Sequence, residues 1–197
     1  MPDCIAAVVL AAGSSHRFGA DKLLHPVTRC GHVMPLLALS LLPWLDVFEK
    51  VCVVVRKGET IDAIKTALGE EKSARLFRVV CVDAAQGMAA SLACGVRANV
   101  DVAGWLIGLA DMPLVPSCAI AGVRDALLVG APLAAPSRNG RLGHPVGFSS
   151  RYLEELIDLQ GDRGARHILE RDEVSMVEVE SEGIFADIDM PSDLLEL

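Results

Sequence analysis

Aromatic side chains are scarce in this sequence: 4% of 197 residues, with 2 Trp, 1 Tyr and 5 Phe. The core must therefore be built from Ala, Val, Leu and Ile. Charge is sparse too, at 22% against 52% hydrophobic residues, which excludes a disordered chain. A basic excess is missing. With 18 Lys and Arg against 26 Asp and Glu the formal net charge is -8, whereas a general nucleic-acid binder needs a basic face. An anionic small substrate stays open where cations gather locally, and Arg17, Lys22, Arg138, Arg141, Arg163 and Arg166 all sit in loop-like, Gly-containing stretches. The six cysteines (Cys4, Cys30, Cys52, Cys81, Cys94, Cys118) show no C-x-x-C and no paired spacing. That argues against a zinc site or a disulfide framework and for a reducing cytosol. No apolar run is long enough to span a membrane. Met1-Pro2-Asp3-Cys4 has no basic region before its apolar run and makes a poor signal peptide, so the expected location is the cytoplasm. No internal repeat or low-complexity linker breaks the chain, and its length fits a single domain spanning residues 1–197.

What is present alternates. Apolar, β-branched runs at 5–10, 50–55, 78–82 and 105–110 read as strands. Between them, 34–42 (stopped near Pro43), 59–68 (stopped at Gly69), 87–98 and 117–129 (capped by Ser117) read as helices. This order implies an α/β fold: a mostly parallel, Rossmann-like sheet with helices on both faces. Ligands in such sheets collect at the C-terminal strand ends, which places 11–22, 83–88 and 111–113 on one rim. The pattern changes after Gly130. Short strand-like pieces at 133–136 and 145–148 flank the turn signal Asn139-Gly140. An amphipathic stretch at 151–159, a short helix at 165–170, strands at 174–179 and 184–188 and a final helical turn at 193–197 follow. Residues 131–197 thus read as a substrate-facing extension of the domain begun by 1–130.

The first strand runs into Ala11-Ala12-Gly13, then a loop bounded by Gly13 and Gly19 that carries Arg17, with Lys22 just beyond. Small residues let backbone N–H groups approach a ligand closely, and Arg and Lys match the charge of a polyphosphate. The dinucleotide fingerprint G-x-G-x-x-G is absent, because Ser14 and Ser15 follow Gly13. Walker A is absent too, because five residues separate the glycines and Leu23 follows Lys22. An ordinary loop with two solvated cations would read the same way. Asp111 ends a second apolar strand in Leu109-Ala110-Asp111-Met112-Pro113, where an acid is costly to bury unless paired or bound to metal. A plain loop cap is the bland alternative. In Gln86-Gly87-Met88-Ala89-Ala90-Ser91-Leu92 a glycine opens a helix whose first amides would face the rim, with Ser91 one turn in. Packing on small residues explains that pattern equally well.

The segment L-A-A-G-S-S-H-R-F-G-A-D-K resembles the signature of nucleotidyltransferases, and among them most closely the molybdenum cofactor cytidylyltransferases and their MobA-like relatives. Asp111 falls in their L-x-x-x-D-x-P segment and Gly87 to Leu92 in their G-M-x-x-S-L. Gly140 to Pro145 resembles G-x-x-G-H-P, and Gly161 to Arg166 resembles G-D-x-G-A-R. Asp187 to Leu194 resembles D-I-D-T-P-x-D-L, with Met190 in place of Thr, so the usual helix cap is lost. His25 is a further departure. The motifs run in family order from Val8 to Leu194.

The resemblance implies the fold of nucleotide-diphospho-sugar transferases and transfer of CMP from CTP to the phosphate of a molybdopterin-type acceptor, with release of pyrophosphate. It implies catalytic roles for Arg17, Lys22 and Asp111, and nucleotide binding by Ala11, Ala12, Gly13, Arg17, Lys22, Gly87 and Ser91. It further implies acceptor binding by His144, Asp162 and Arg166, and Mg2+ held by Asp111 with Asp187, or else Asp189. A molybdoenzyme or its insertion chaperone would receive the product; nucleic acid and membrane have no part. For His144 a structural hydrogen bond, and for Asp162 a helix cap, are the plain alternatives. Two other functions compete. One is transfer to a different phosphate, with GTP as donor or a sugar phosphate as acceptor. The other is a non-catalytic carrier of the molybdenum cofactor, which has no need of Arg17, Lys22 and Asp111 together.

Overall fold

A computed structural model describes residues 4–13, 18, 21–29, 31–161 and 164–196. Its centre is β1 (Ile5–Ala11), flanked in parallel by β4 (Val51–Val55) and β6 (Gly104–Leu109), so that Val9 lies opposite Val53 on one side and Gly108 on the other. β5 (Leu76–Val80) extends the sheet in parallel beyond β4. On the far side of β6 the sheet continues through β9 (Val146–Ser149), β7 (Leu133–Arg138) and β10 (Ser175–Glu178), giving the order β10-β7-β9-β6-β1-β4-β5. A short β8 (Arg141–Leu142) pairs with β7 across the Asn139-Gly140 turn. β9 runs antiparallel to both neighbours, β10 is parallel to β7, and the sheet is mostly parallel, as expected.

Alternation along β1 builds two apolar layers. Ile5, Ala7, Val9 and Ala11 face one side, with α1 (Leu36–Val47), α2 (Glu59–Ser73) and α4 (Ser117–Leu128). Val8, Leu10 and Ala12 face the other, with α3 (Met88–Arg97), α5 (Leu153–Ile157) and α6 (Arg166–Arg171). With both faces covered, the central strands read as continuous hydrophobic runs.

Several elements depart from the sequence reading. Residues 32–35 belong to a hairpin, β2 (Pro26–Arg29) with β3 (His32–Pro35), and not to the first helix. Pro43 does not stop α1, which runs to Val47. An interior proline costs about 3 kcal/mol. Leu37, Leu41, Trp44 and Leu45 are each at most 3% exposed. At about 1.5–3 kcal/mol per buried large apolar side chain, their burial outweighs the lost bond. Gly69 takes φ 77° and breaks the helical run where the sequence placed its stop, and only a short helical turn continues to Ser73. Ser117 is the first residue of α4 and not its cap; Pro116 holds that place without a side-chain bond.

Residues 184–188 are not a strand. Their backbone groups bond elsewhere: His144 N–H donates to the Ile184 carbonyl (2.9 Å) and Ile188 N–H to that of Asp111 (2.9 Å). Ile184 and Ile188 are both buried, at 0% and 3% exposure, and this pair of anchors in an irregular segment produced the strand-like pattern.

Candidate active site

The loops after β1, β4, β5 and β6 meet at one rim around a cavity of about 650 Å³. Ala11, Ala12, Gly13, Lys22, Gly87, Ser91, Asp111 and Asp189 all line it, so most of the residues singled out from sequence converge here. Ala12 is 2% exposed and packs into the layer with Val8 and Leu10. Its carbonyl accepts a hydrogen bond from Arg56 Nη2 at 3.2 Å.

Lys22 is the centre of the charge arrangement. It opens a short 3-10 turn, Lys22–Leu24, whose cap is the Asp21 side chain accepting from Leu23 N–H at 3.2 Å. Its ammonium donates to Asp111 Oδ2 at 2.7 Å, to the Ile188 carbonyl at 2.7 Å and to Asp189 Oδ1 at 3.3 Å. The residue is 8% exposed, which excludes the alternative of a solvated cation for Lys22. Loop composition gave no sign of this, because the acceptors lie 89, 166 and 167 positions away. Burial works to lower the Lys22 pKa, but the Asp111 and Asp189 carboxylates outweigh it and raise the pKa, so the group stays charged. Asp111 Oδ1 is buried and meets no donor among the described residues. An acceptor left in that state costs about 1–3 kcal/mol, which marks it as a place for a ligand.

The late segment supplies the second carboxylate. The segment 184–188 is irregular; Asp189 bonds Lys22, while Asp187, like Asp111, acts on His144. Met190 leaves the chain without a Thr cap, and Asp193 fills that role. Its Oδ2 accepts from Asp189 N–H at 2.8 Å and Met190 N–H at 2.7 Å, bonds that hold its carboxyl below the usual range. Gly183 seats the segment against the loop after Asp111, where an added Cβ would strike the Leu114 carbonyl and come within 2.9 Å of Leu114 Cβ. Gly183→Ala is expected to cost about 1–3 kcal/mol, because backbone cannot give way as a side chain can. An unchanged urea midpoint would show that this seat is not needed.

His144 is half-buried, with Nδ1 unpartnered among the described residues. Burial lowers its pKa against the opposing pull of Asp111 and Asp187, so it is neutral at pH 7. Gly87 adopts φ 115°, a conformation that favours glycine, and swings the chain into α3. The amides at the start of α3 are not all open to the rim, because Ala89 N–H donates to the Gly161 carbonyl at 3.2 Å. Gly161 is thereby tied to α3, and Gly164 lies against Met88. Arg166 itself points away, its side chain 73% exposed and paired with Glu170 at 2.9 Å, and it does not line the cavity. Arg17 and Asp162 lie outside the described residues.

Three participants escaped the sequence reading. Arg56 lines the cavity and directly follows β4, so its place at a strand's C-terminal end was a readable signal. The Ile188 carbonyl and the capping role of Asp193 left none. Among the described residues no group of three or more His, Cys, Asp or Glu is placed to hold a metal ion. Nor, among the described residues, is any helix long and apolar enough to cross a membrane.

The rim cavity, with its buried ammonium between two carboxylates, lies at the C-terminal strand ends of a mostly parallel sheet, where ligands bind in α/β folds. Residues 7–177 match the MobA-like NTP transferase domain family. The chain belongs to that family and is a nucleotidyltransferase, with a nucleotide as substrate. It is 32% identical to the purine catabolism protein PucB of Bacillus subtilis, over 96% of this chain and 93% of that protein. The fold is shared with Rv0371c of Mycobacterium tuberculosis in complex with manganese (TM-score 0.75, 23% identity, 100% of both chains). It is shared too with molybdopterin-guanine dinucleotide biosynthesis protein A of Archaeoglobus fulgidus (TM-score 0.65, 20% identity, 98% of this chain and 96% of that one).

Proposed function

We propose that this chain transfers CMP from CTP to the terminal phosphate of a molybdopterin-type acceptor. The observation that carries the reading is buried Lys22 held between the half-buried Asp111 and Asp189 at the cavity lined by Ala11, Ala12 and Gly13. An acceptor phosphate oxygen attacks the α-phosphorus, the bond from that phosphorus to the bridging oxygen breaks, and pyrophosphate leaves with the electron pair. No side-chain nucleophile is needed, and the protein positions groups and neutralises charge. Lys22 supplies one positive charge to the phosphates, and Arg17, earlier in the sequence, a second. Ala11 to Gly13, Gly87 and Ser91 hold the nucleotide. His144 and Asp162 serve the acceptor side, with His144 neutral and able to donate or accept one hydrogen bond, while Arg166 is turned outward onto Glu170.

A divalent cation fits this site. The orphaned Asp111 Oδ1 and the neighbouring Asp189 offer oxygen ligands only, the set a hard ion such as Mg2+ takes alongside water and phosphate. The manganese complex of Rv0371c supports the same chemistry. When bound, the ion would supply charge neutralisation across the phosphates. Asp111 and Asp189 would hold it, with Asp187, whose charge reaches His144 as that of Asp111 does, as the other candidate ligand. The molybdopterin acceptor rests on the likeness of Gly143-His144-Pro145 and Gly161 to Arg166 to the cytidylyltransferase branch. The choice of CTP rests on Ala12, where the guanylyl branch carries glycine. The expected site of action is the cytoplasm.

Competition between CTP and GTP with molybdenum cofactor as acceptor tests this, read by pyrophosphate release and the mass of the dinucleotide product. CTP is expected to be preferred. GTP used as well as CTP would overturn the base assignment, and turnover only with another phosphate would overturn the acceptor. Pterin binding without any turnover would leave a carrier.

A further inference from the structure

We propose that Lys22 is a built-in counter-ion that keeps divalent metal out of the site until a nucleotide arrives, an inference that rests on the metal assignment made above. One ammonium lies 2.7 Å from Asp111 Oδ2 and 3.3 Å from Asp189 Oδ1. These are the two carboxylates that would hold the ion, and the space between them is already filled by positive charge. The ammonium is anchored from a third direction by the Ile188 carbonyl at 2.7 Å. Ile188 in turn donates its N–H to the Asp111 carbonyl at 2.9 Å, so the lysine also ties the late segment to the metal-binding loop.

A cation entering alone would meet a like charge at close range and would strip Lys22 of its acceptors. Both effects oppose binding, and an ammonium 8% exposed is little screened by water. A triphosphate changes the balance, because its oxygens complete the metal shell and also accept the displaced ammonium. Metal and nucleotide therefore bind together, with Lys22 passing from carboxylates to phosphate. The unmet Asp111 Oδ1 fits this picture: Lys22 engages the other oxygen and leaves this one for the incoming ion.

The test is Mn2+ binding by calorimetry and by the paramagnetic resonance of free Mn2+, without nucleotide. Lys22→Met keeps the apolar stem and removes the charge, and is expected to bind Mn2+ at least about tenfold tighter than the unaltered protein, the low end for one neighbouring unit charge. Lys22→Arg keeps the charge and is expected to bind as weakly as the unaltered protein. Equal affinity of Lys22→Met and the unaltered chain overturns the proposal. Should Lys22→Met fail to fold, the unaltered protein with 15N-labelled lysine decides. The Lys22 ammonium resonance is expected to move when Mg2+ and CTP are added together and to stay with Mg2+ alone. A shift saturating with Mg2+ alone overturns the proposal. Failure of CTP to bind would strike the assigned reaction, and the nucleotide-free Mn2+ comparison would still decide whether Lys22 excludes the ion.

Discussion

Lys22→Ala is expected to lower turnover by roughly 100-fold or more, the scale of losing one preorganised charge contact. The effect has two sources. The phosphates lose a positive charge, and Asp111, Asp189 and the Ile188 carbonyl lose their common donor. Because Lys22 is buried, stability falls as well, by about 1–3 kcal/mol for acceptors left without a partner. Turnover must therefore be compared well below the melting temperature of the variant, with the folded fraction measured by circular dichroism. A folded Lys22→Ala protein that keeps turnover within a few-fold of the unaltered enzyme would remove Lys22 from the phosphate site.

Asp111→Asn is expected to abolish most activity, again by about 100-fold or more, while the fold persists. Asparagine is nearly isosteric and retains an oxygen that can accept from Lys22, so the 2.7 Å contact has a replacement. The negative charge that a divalent cation requires is gone. In a chain of this length a loss of 1 kcal/mol moves the melting temperature by roughly 2–4 °C, and a shift no larger than that is expected here. Steady-state turnover with Mn2+ and Mg2+ alongside a melting curve checks both halves. Near-normal turnover in a folded Asp111→Asn enzyme would sink the assignment of Asp111 to the metal. Collapse of the fold would show that the carboxylate is needed for structure before chemistry.

The sheet was legible because its strands are buried on both faces. Val51–Val55 and Gly104–Leu109 are almost wholly inaccessible, and burial on both sides demands the continuous apolar runs that are visible in one dimension. The helices were legible in position and less so at their ends. Pro43 and Gly69 are local stop signals: burial of Leu41, Trp44 and Leu45 carried α1 through Pro43, whereas the positive φ at Gly69 does interrupt α2. The late segment was misread for a related reason: Ile184 and Ile188 are spaced like strand residues, yet their backbone partners are His144 and Asp111.

By itself, the sequence determined the α/β class, the rim at the C-terminal strand ends, and the residues that gather there: Ala11 to Gly13, Lys22, Gly87, Ser91, Asp111 and Asp189. These follow from local pattern, since periodicity and strand order fix which loops lie together. Only the tertiary structure decided how the charges pair. It buried Lys22, set Asp189 and not Asp187 beside it, turned Arg166 outward onto Glu170, and brought Arg56 to the Ala12 carbonyl. The physical reason is range. An ion pair depends on distances of a few ångströms between groups 89 to 167 residues apart in the chain, and only the packed sheet sets those distances.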